Sequence, residues 1–273
     1  MELYESIKNR SSVRKYEDRA VDNSILALIK NKADNLVRLN PKINTRLEFV
    51  TQPEKVREMK IGFLGGRINI NAPHCIVAIT EDVEGGYENV GFMQEQLVLE
   101  MVGMNIGSCW LGTFDRDVVG KSLEVKNGEV VTNVIAFGYP KKSFYNNGLR
   151  KLLGTTKRKK VEEIAFYKSW GQSLDDFLLR KKALDKIINI SILAPSADNS
   201  QPVRVVVDDN IAHFFSMEKN DSNYFKIDAG IFLAHFYSAC KKEGYISEIC
   251  SEQVDIARVG APKEFKYIIS QKY

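Results

Sequence analysis

The sequence predicts an α+β protein built as two successive halves. Helical and strand periodicities alternate along the chain, the alternation stops at a basic stretch over 141–160, and it then begins again. The 273 residues suffice for one large domain or two modest ones, and an apolar fraction of 44% supplies a core, which excludes a disordered or fibrous chain.

The first half opens with a short helix over 2–9 and a second from Val21 to Leu36, with Asp22 as N-cap and Ile25, Leu28, Ile29 and Leu36 on one face. Strands are expected at 46–50 and 74–80. The longest helical signal covers 87–105, where Met93, Leu97, Met101 and Met104 fall at spacings of four, four and three, as in a core-packing stripe. Ser108 to Phe114 reads as a short strand or extended turn, 115–123 as a helix and 129–138 as a strand ending in Gly138-Tyr139-Pro140.

Residues 141–160 hold eight Lys or Arg with two Asn and two Gly and little apolar periodicity, the composition of a surface connection. Beyond it come a helix at 173–193, a turn-rich loop from Ala194 to Pro202, strands at 203–208 and 211–217, a long helix at 224–243, and strand-like segments at 245–250 and 265–271. Setting Gly91 on Gly230 aligns Val-Gly-Phe-Met-Gln-Glu-Gln-Leu with Ala-Gly-Ile-Phe-Leu-Ala-His-Phe, an internal similarity at the start of each half's long helix. A chance likeness between two amphipathic helices would explain that alignment equally well.

A formal net charge of +4 gives no strong field toward nucleic acid or an anionic membrane. No apolar run reaches the roughly 18 residues of a membrane span, and the N-terminus begins acidic and amphipathic, so a soluble cytoplasmic protein is expected. Cys75, Cys109, Cys240 and Cys250 lack paired close spacing, which suits reduced thiols rather than a zinc site or disulfide framework. His74, His213 and His235 each sit in an apolar stretch and are expected in or near the core, so no metal is assigned.

Three segments carry chemistry. Arg10-Ser11-Ser12-Val13-Arg14-Lys15-Tyr16 sets two guanidiniums four residues apart with hydroxyls and loop amides between them, which suits an anion such as phosphate, or else a solvated basic helix end. Ala194-Pro195-Ser196-Ala197-Asp198-Asn199-Ser200-Gln201-Pro202 offers short polar side chains that form turns and present amides and hydroxyls to a ligand, although turn chemistry alone would account for it. Gly107-Ser108-Cys109-Trp110-Leu111-Gly112-Thr113-Phe114 combines glycines that permit close backbone approach with aromatics able to wall a core.

Together these segments resemble the nitroreductase family of FMN-dependent oxidoreductases over most of the chain. Arg-Ser-Ser-Val-Arg looks like the family's Arg-x-Ser-x-Arg/Lys signature, Ala194 to Pro202 like its Pro-Ser-x-x-Asn-x-Gln-Pro loop, and Cys109 to Phe114 like its Cys-Trp-Leu-Gly-Gly-Phe strand. Gly138-Tyr139-Pro140 and the run Arg158 to Ile164 match the family's strand end and basic tail. The order departs from the family: an ordinary member carries the arginine signature and the Pro-Ser loop within its first forty or so residues, and two identical chains exchange them. Here each half lacks what the other supplies. That pattern resembles a subgroup with two tandem half-repeats folded as a single-chain pseudo-dimer, with repeats at 1–165 and 166–273, mostly antiparallel sheets flanked by helices, and a monomer rather than an obligate homodimer.

The resemblance implies one flavin site. Arg10 and Arg158, with Lys157 or Lys159, would grip the FMN phosphate, supplemented by Ser11 and Ser12. Arg14 would lie by the flavin pyrimidine, Leu111, Gly112 and Thr113 along N5, and Pro195, Ser196, Ala197 and Asn199 over the dimethylbenzene and ribityl side. The implied reaction passes hydride from NADH or NADPH to N5 and on to a small acceptor such as a nitro compound or quinone, with no catalytic side chain and no dinucleotide glycine fingerprint. Cys109, without a partner cysteine nearby, is expected to pack rather than react. The alternative is a flavin-binding module that has lost turnover.

Overall fold

The computed structural model describes residues 2–63, 68–141, 157–218, 222–250 and 256–273. Most of the basic connection expected at 141–160 lies outside the described residues. The chain divides into two compact units, Met1–Leu149 and Arg150–Tyr273.

In the first unit, α1 (Leu3–Asn9) and α2 (Asn23–Asp34) precede strand β1 (Thr45–Val50). A short helix α3 (Pro53–Glu58) follows, started by a proline whose missing N–H costs nothing in a first turn. The two-residue strands β2 (Gly62–Phe63) and β3 (Ile68–Asn69) pair with each other. Then come β4 (His74–Glu81), the long helix α4 (Gly86–Gly103), β5 (Gly107–Leu111), α5 (Arg116–Ser122) and β6 (Glu129–Gly138). The Asp115 side chain caps α5 by accepting from the Val118 N–H at 3.1 Å. The strands form one antiparallel sheet in the order β1-β4-β6-β5. One face buries Val50, Met59, Cys75, Val77, Cys109 and Val134, the other Ile29, Ile76, Leu97, Met101 and Phe137.

The second unit starts with α6 (Val161–Ile164) and β7 (Ala165–Tyr167), so the basic tail packs with the unit that follows it. Where one helix is expected over 173–193 there are two, α7 (Asp175–Arg180) and α8 (Lys182–Ser191). Lys181 at the break adopts φ −119° and ψ 60°. An unbroken helix would place this lysine on the buried stripe of Phe177, Leu184 and Ile188, and the break leaves it exposed instead. A single 3-10 turn (Ala197–Asn199) leads to β8 (Val203–Asp208) and β9 (Ile211–Met217). The unit closes with the long helix α9 (Tyr224–Lys242), β10 (Glu248–Cys250), α10 (Ile256–Val259) and β11 (Phe265–Lys272). Its sheet runs β10-β11-β9-β8-β7, antiparallel except for the parallel β7–β8 pair.

The two units share a plan. In each, a helix leads into two adjacent antiparallel strands, a long helix follows, and a third strand and a short helix precede a fourth strand. The fourth strand inserts between the second and the third: β1-β4-β6-β5 in one unit and β8-β9-β11-β10 in the other. Gly91 and Gly230, the pair aligned in sequence, fall at the sixth and seventh positions of α4 and α9. Both helices are buried around most of their circumference, in 14 of 18 and 14 of 19 residues, so neither is an ordinary one-faced surface helix.

Among the described residues no helix is long and apolar enough to cross a membrane. His74 is buried and held from both sides: Nδ1 donates to the Thr51 carbonyl at 3.0 Å and Nε2 accepts from the Val21 N–H at 2.9 Å. Burial lowers its pKa, so the ring stays neutral and acts as a clamp between two chain segments.

Gly107 tests the packing of β5 against the segment after α1. A Cβ there would sit 2.7 Å from Val13 Cγ2 and 2.9 Å from Val13 Cβ, and a branched side chain has no rotamer that withdraws. Gly107→Ala is expected to destabilise the first unit by about 1–3 kcal/mol, read as a lowered midpoint in thermal denaturation. An unchanged midpoint would contradict this packing.

Candidate functional site

The arginine segment leaves α1 at its C-cap, Arg10, and runs beside β5. Val13 N–H donates to the Ser108 carbonyl at 2.8 Å, and Ser12 forms a parallel bridge with Ser108. Tyr16 is buried and locks the end of the segment, its hydroxyl shared between the Val13 carbonyl at 2.6 Å and the Ala136 carbonyl at 3.1 Å. Burial raises the Tyr16 pKa well above the phenolic range.

Arg10 is paired inward. Its Nε lies 3.8 Å from Glu95 Oε1, with only 7% of the arginine side chain and none of the glutamate exposed. The other Glu95 oxygen accepts from Trp110 Nε1 at 3.0 Å. One carboxylate on α4 thus fixes the first arginine of the signature and the aromatic of the Cys-Trp-Leu-Gly strand. A buried ion pair of this kind gains little net stability but fixes geometry. Arg14 is exposed, and Ser11 and Ser12 are half-buried.

Leu111 ends β5 in the core, while Gly112 and Thr113 continue as a half-buried loop. That loop is held from beyond by the Gly62 N–H, which donates to the Thr113 carbonyl at 2.9 Å, and by the Asp115 N–H, which donates to the Met59 carbonyl at 2.9 Å. Cys109 is buried, and burial raises its pKa although the fields of Arg14 and Arg10 act to lower it. The thiol is therefore kept protonated, as a packing role requires.

In the second unit the structure joins two of the predicted segments. Arg158 Nη1 donates to Asn199 Oδ1 at 2.6 Å and Nη2 to the Leu193 carbonyl at 3.3 Å, while Asn199 Nδ2 donates to the Lys157 carbonyl at 3.0 Å. Lys159 N–H donates to Gln201 Oε1 at 2.8 Å, and Gln201 N–H to Ser196 Oγ at 2.9 Å. Basic tail and Pro-Ser loop are zipped together side by side. Asp198, Asn199 and Gln201 all lie in the left-handed region, at φ of 51°, 54° and 49°. Asp and Asn tolerate that conformation better than most residues, and three such residues in four store strain of a kind that collects at binding loops.

The loop is also fastened from beneath by a residue the sequence patterns did not single out. Both oxygens of Asp228, on α9, accept from the Ala197 N–H, at 3.0 and 3.1 Å. Asp228 is 5% exposed, and burial pushes its carboxyl up to about 8, against the lowering pull of the Ala197 N–H. Glu95 was missed in the same way, because a helix read for its apolar stripe leaves its polar positions to solvent. The detectable signal is spacing: Asn89 and Gln96 on α4, and Asp228 and His235 on α9, are seven residues apart and share a buried face. Among the described residues no three His, Cys, Asp or Glu side chains gather as a metal site would require.

A family model described as "Putative TM nitroreductase" matches residues 2–240. A "Putative NADH dehydrogenase/NAD(P)H nitroreductase" of Archaeoglobus fulgidus is 27% identical over 156 residues, 53% of this chain and 90% of that protein. A solved structure described as a "putative nitroreductase" of Thermotoga maritima is similar in fold, with a TM-score of 0.62 at 20% identity over 99% of this chain and 92% of its own. A nitroreductase of Bacteroides fragilis solved with bound FMN covers 52% of this chain and 90% of its own, at 20% identity and a TM-score of 0.44.

The Asp228 carboxyl makes stability depend on pH. The folded chain keeps a proton up to about pH 8 that an unfolded chain, with the carboxyl at 3.8, has already released. Its contribution is complete below the unfolded value, declines as pH rises toward about 8, and is level beyond it. Denaturation midpoints of the native chain should therefore fall from pH 5 to pH 8 relative to those of Asp228→Asn, and parallel pH profiles of the two would contradict the assignment.

Proposed function

The chain belongs to the nitroreductase family whose model spans residues 2–240, and from that membership we propose that it is an FMN-dependent NAD(P)H oxidoreductase built from two tandem half-repeats. The observation that carries this is the meeting of two separately recognised motifs in the second unit, where Arg158 of the basic tail donates to Asn199 of the Pro-Ser loop at 2.6 Å. The tandem arrangement is supported by the strand order common to both units and by the place of Gly91 and Gly230 in their long helices.

The side chains present fit FMN by their donor chemistry. Taken unit by unit, the second offers the Arg158 guanidinium and the ammonium of Lys157 or Lys159, charge-assisted donors of the kind a phosphate takes up, and the first offers the Arg10 guanidinium, which Glu95 also holds, with the Ser11 and Ser12 hydroxyls. Arg14, exposed on the same segment, supplies a cation for the pyrimidine end, where negative charge develops on reduction. Leu111, Gly112 and Thr113 offer backbone against the ring, and Pro195, Ser196, Ala197 and Asn199 offer small contacts in a loop whose turn is already set. When bound, FMN supplies the two-electron chemistry, taking hydride from NADH or NADPH and delivering it to a small acceptor such as a quinone or nitro compound. The protein binds, orients and tunes, and none of its nucleophiles is needed: the Cys109 thiol is buried and protonated.

A single site is supported by what happens at the equivalent loop of the first unit. There the Leu39 and Asn40 N–H groups donate to Asn89 Oδ1 at 2.9 and 3.3 Å, and Gln96 binds both the N–H and the carbonyl of Val37. That loop spends its backbone donors on its own helix and has no Pro-Ser-x-x-Asn sequence.

Anaerobic addition of NADH or NADPH to the FMN-loaded protein should bleach the flavin absorbance, and a quinone or nitroaromatic should restore it. Bound flavin that neither nicotinamide reduces would leave only a binding module.

A further inference from the structure

We propose that Asp228 is the positioning residue of the cofactor loop: seated in the long helix beneath residues 194–202, it holds the Ala197 N–H and with it the Ser196–Asn199 turn. This rests on the FMN assignment above and adds a residue to it.

The geometry is local to the second unit. Both carboxyl oxygens reach one backbone N–H in the middle of the loop, at 3.0 and 3.1 Å. Ala197 opens the tight turn that continues through the left-handed Asp198 and Asn199; the Asn199 N–H donates to the Ser196 carbonyl at 3.1 Å and the Ser200 N–H to the Ala197 carbonyl at 3.0 Å. Releasing the Ala197 N–H would free the strained residues that follow. Against the loop lies a water-sized cavity of about 20 Å³, lined by Ala194, Pro195, Ser196, Pro202 and Phe232 among others, in which Asp228 is the only titratable group among the described residues.

The first unit provides an internal control. Asn89 stands two residues before Gly91, as Asp228 stands two before Gly230, and Asn89 also takes backbone N–H groups from the loop that follows its unit's leading helix. The same helical position therefore fastens the same loop in both units. It carries an amide where the loop is closed on its own helix and an acid where the loop carries the cofactor motif.

An acid there links loop geometry to protons. Asp198, in the loop itself, is the charge that opposes ionisation of Asp228. The charged groups on the elements packed against α9 have other engagements: Arg204 on β8 donates to the Gln201 and Val203 carbonyls, Asp208 pairs with Lys168, and His213 on β9 meets Ser270. On α8, Lys186 pairs with Glu243, Asp185 accepts from Asn189, and Lys182 is exposed. Ionised Asp228 would place a second negative charge beside Asp198 under a loop that receives a phosphate-bearing ligand, so alkaline pH should oppose binding.

The test is FMN titration of the full chain, followed by quenching of flavin fluorescence, for the native protein, Asp228→Asn and Asp228→Leu. Asn keeps the acceptor without the proton, and Leu removes the acceptor at similar volume. Asp228→Asn should bind within about threefold of the native chain and Asp228→Leu about tenfold or more weakly, because the Ala197 N–H loses its partner. Between pH 7 and pH 9 the native affinity should fall while that of Asp228→Asn stays level. Native-like binding by a folded Asp228→Leu, or coincident pH profiles for native and Asp228→Asn, would overturn the proposal. Should Asp228→Leu fail to fold by circular dichroism, the pH comparison alone decides. A native chain that takes up no FMN at any pH would instead sink the cofactor assignment on which this rests.

Discussion

A polar side chain withdrawn from water must find a partner or cost about 1–3 kcal/mol, and the two longest helices of this chain each bury several. That constraint sets the course of the surrounding backbone. On α4, Asn89 and Gln96 take up the 37–40 loop, and Glu95 draws in Arg10 and Trp110. On α9, Asp228 takes up the middle of the 194–202 loop. The 194–202 loop and Arg10, both offered as cofactor contacts, are thus held by residues that themselves belong to the core.

The shared strand order makes the differences between the units informative. The common plan carries an Asn at one helical position and an Asp at its counterpart, and each takes backbone N–H from the loop after its unit's leading helix. The first unit keeps the arginine signature and the Trp-bearing strand, tied together by Glu95. The second holds the Pro-Ser loop and the basic tail, whose Arg158 and Lys159 bind the loop at Asn199 and Gln201.

Much of the architecture was legible from periodicity. The strands at 129–138, 203–208 and 211–217 coincide with the observed ones because alternation or continuous apolar runs between turn residues leave little freedom. The helix expected at 173–193 breaks at Lys181, where a run of Arg-Lys-Lys crosses the buried stripe. Strand β7 is three residues long, too short to show a period, and helices α3 and α6, of six and four residues, span fewer than two turns. At the site, the motif segments stood out by composition, whereas Glu95, Asn89 and Asp228 did not. Their role depends on tertiary burial, which turns a polar residue on a helix from a solvated one into an anchor.

One asymmetric FMN site per chain can be counted directly as the flavin content of the purified, FMN-saturated protein, from flavin absorbance against protein concentration after removal of free ligand. One FMN per chain is expected. Two per chain would contradict the asymmetry between the units, and none would contradict the site itself.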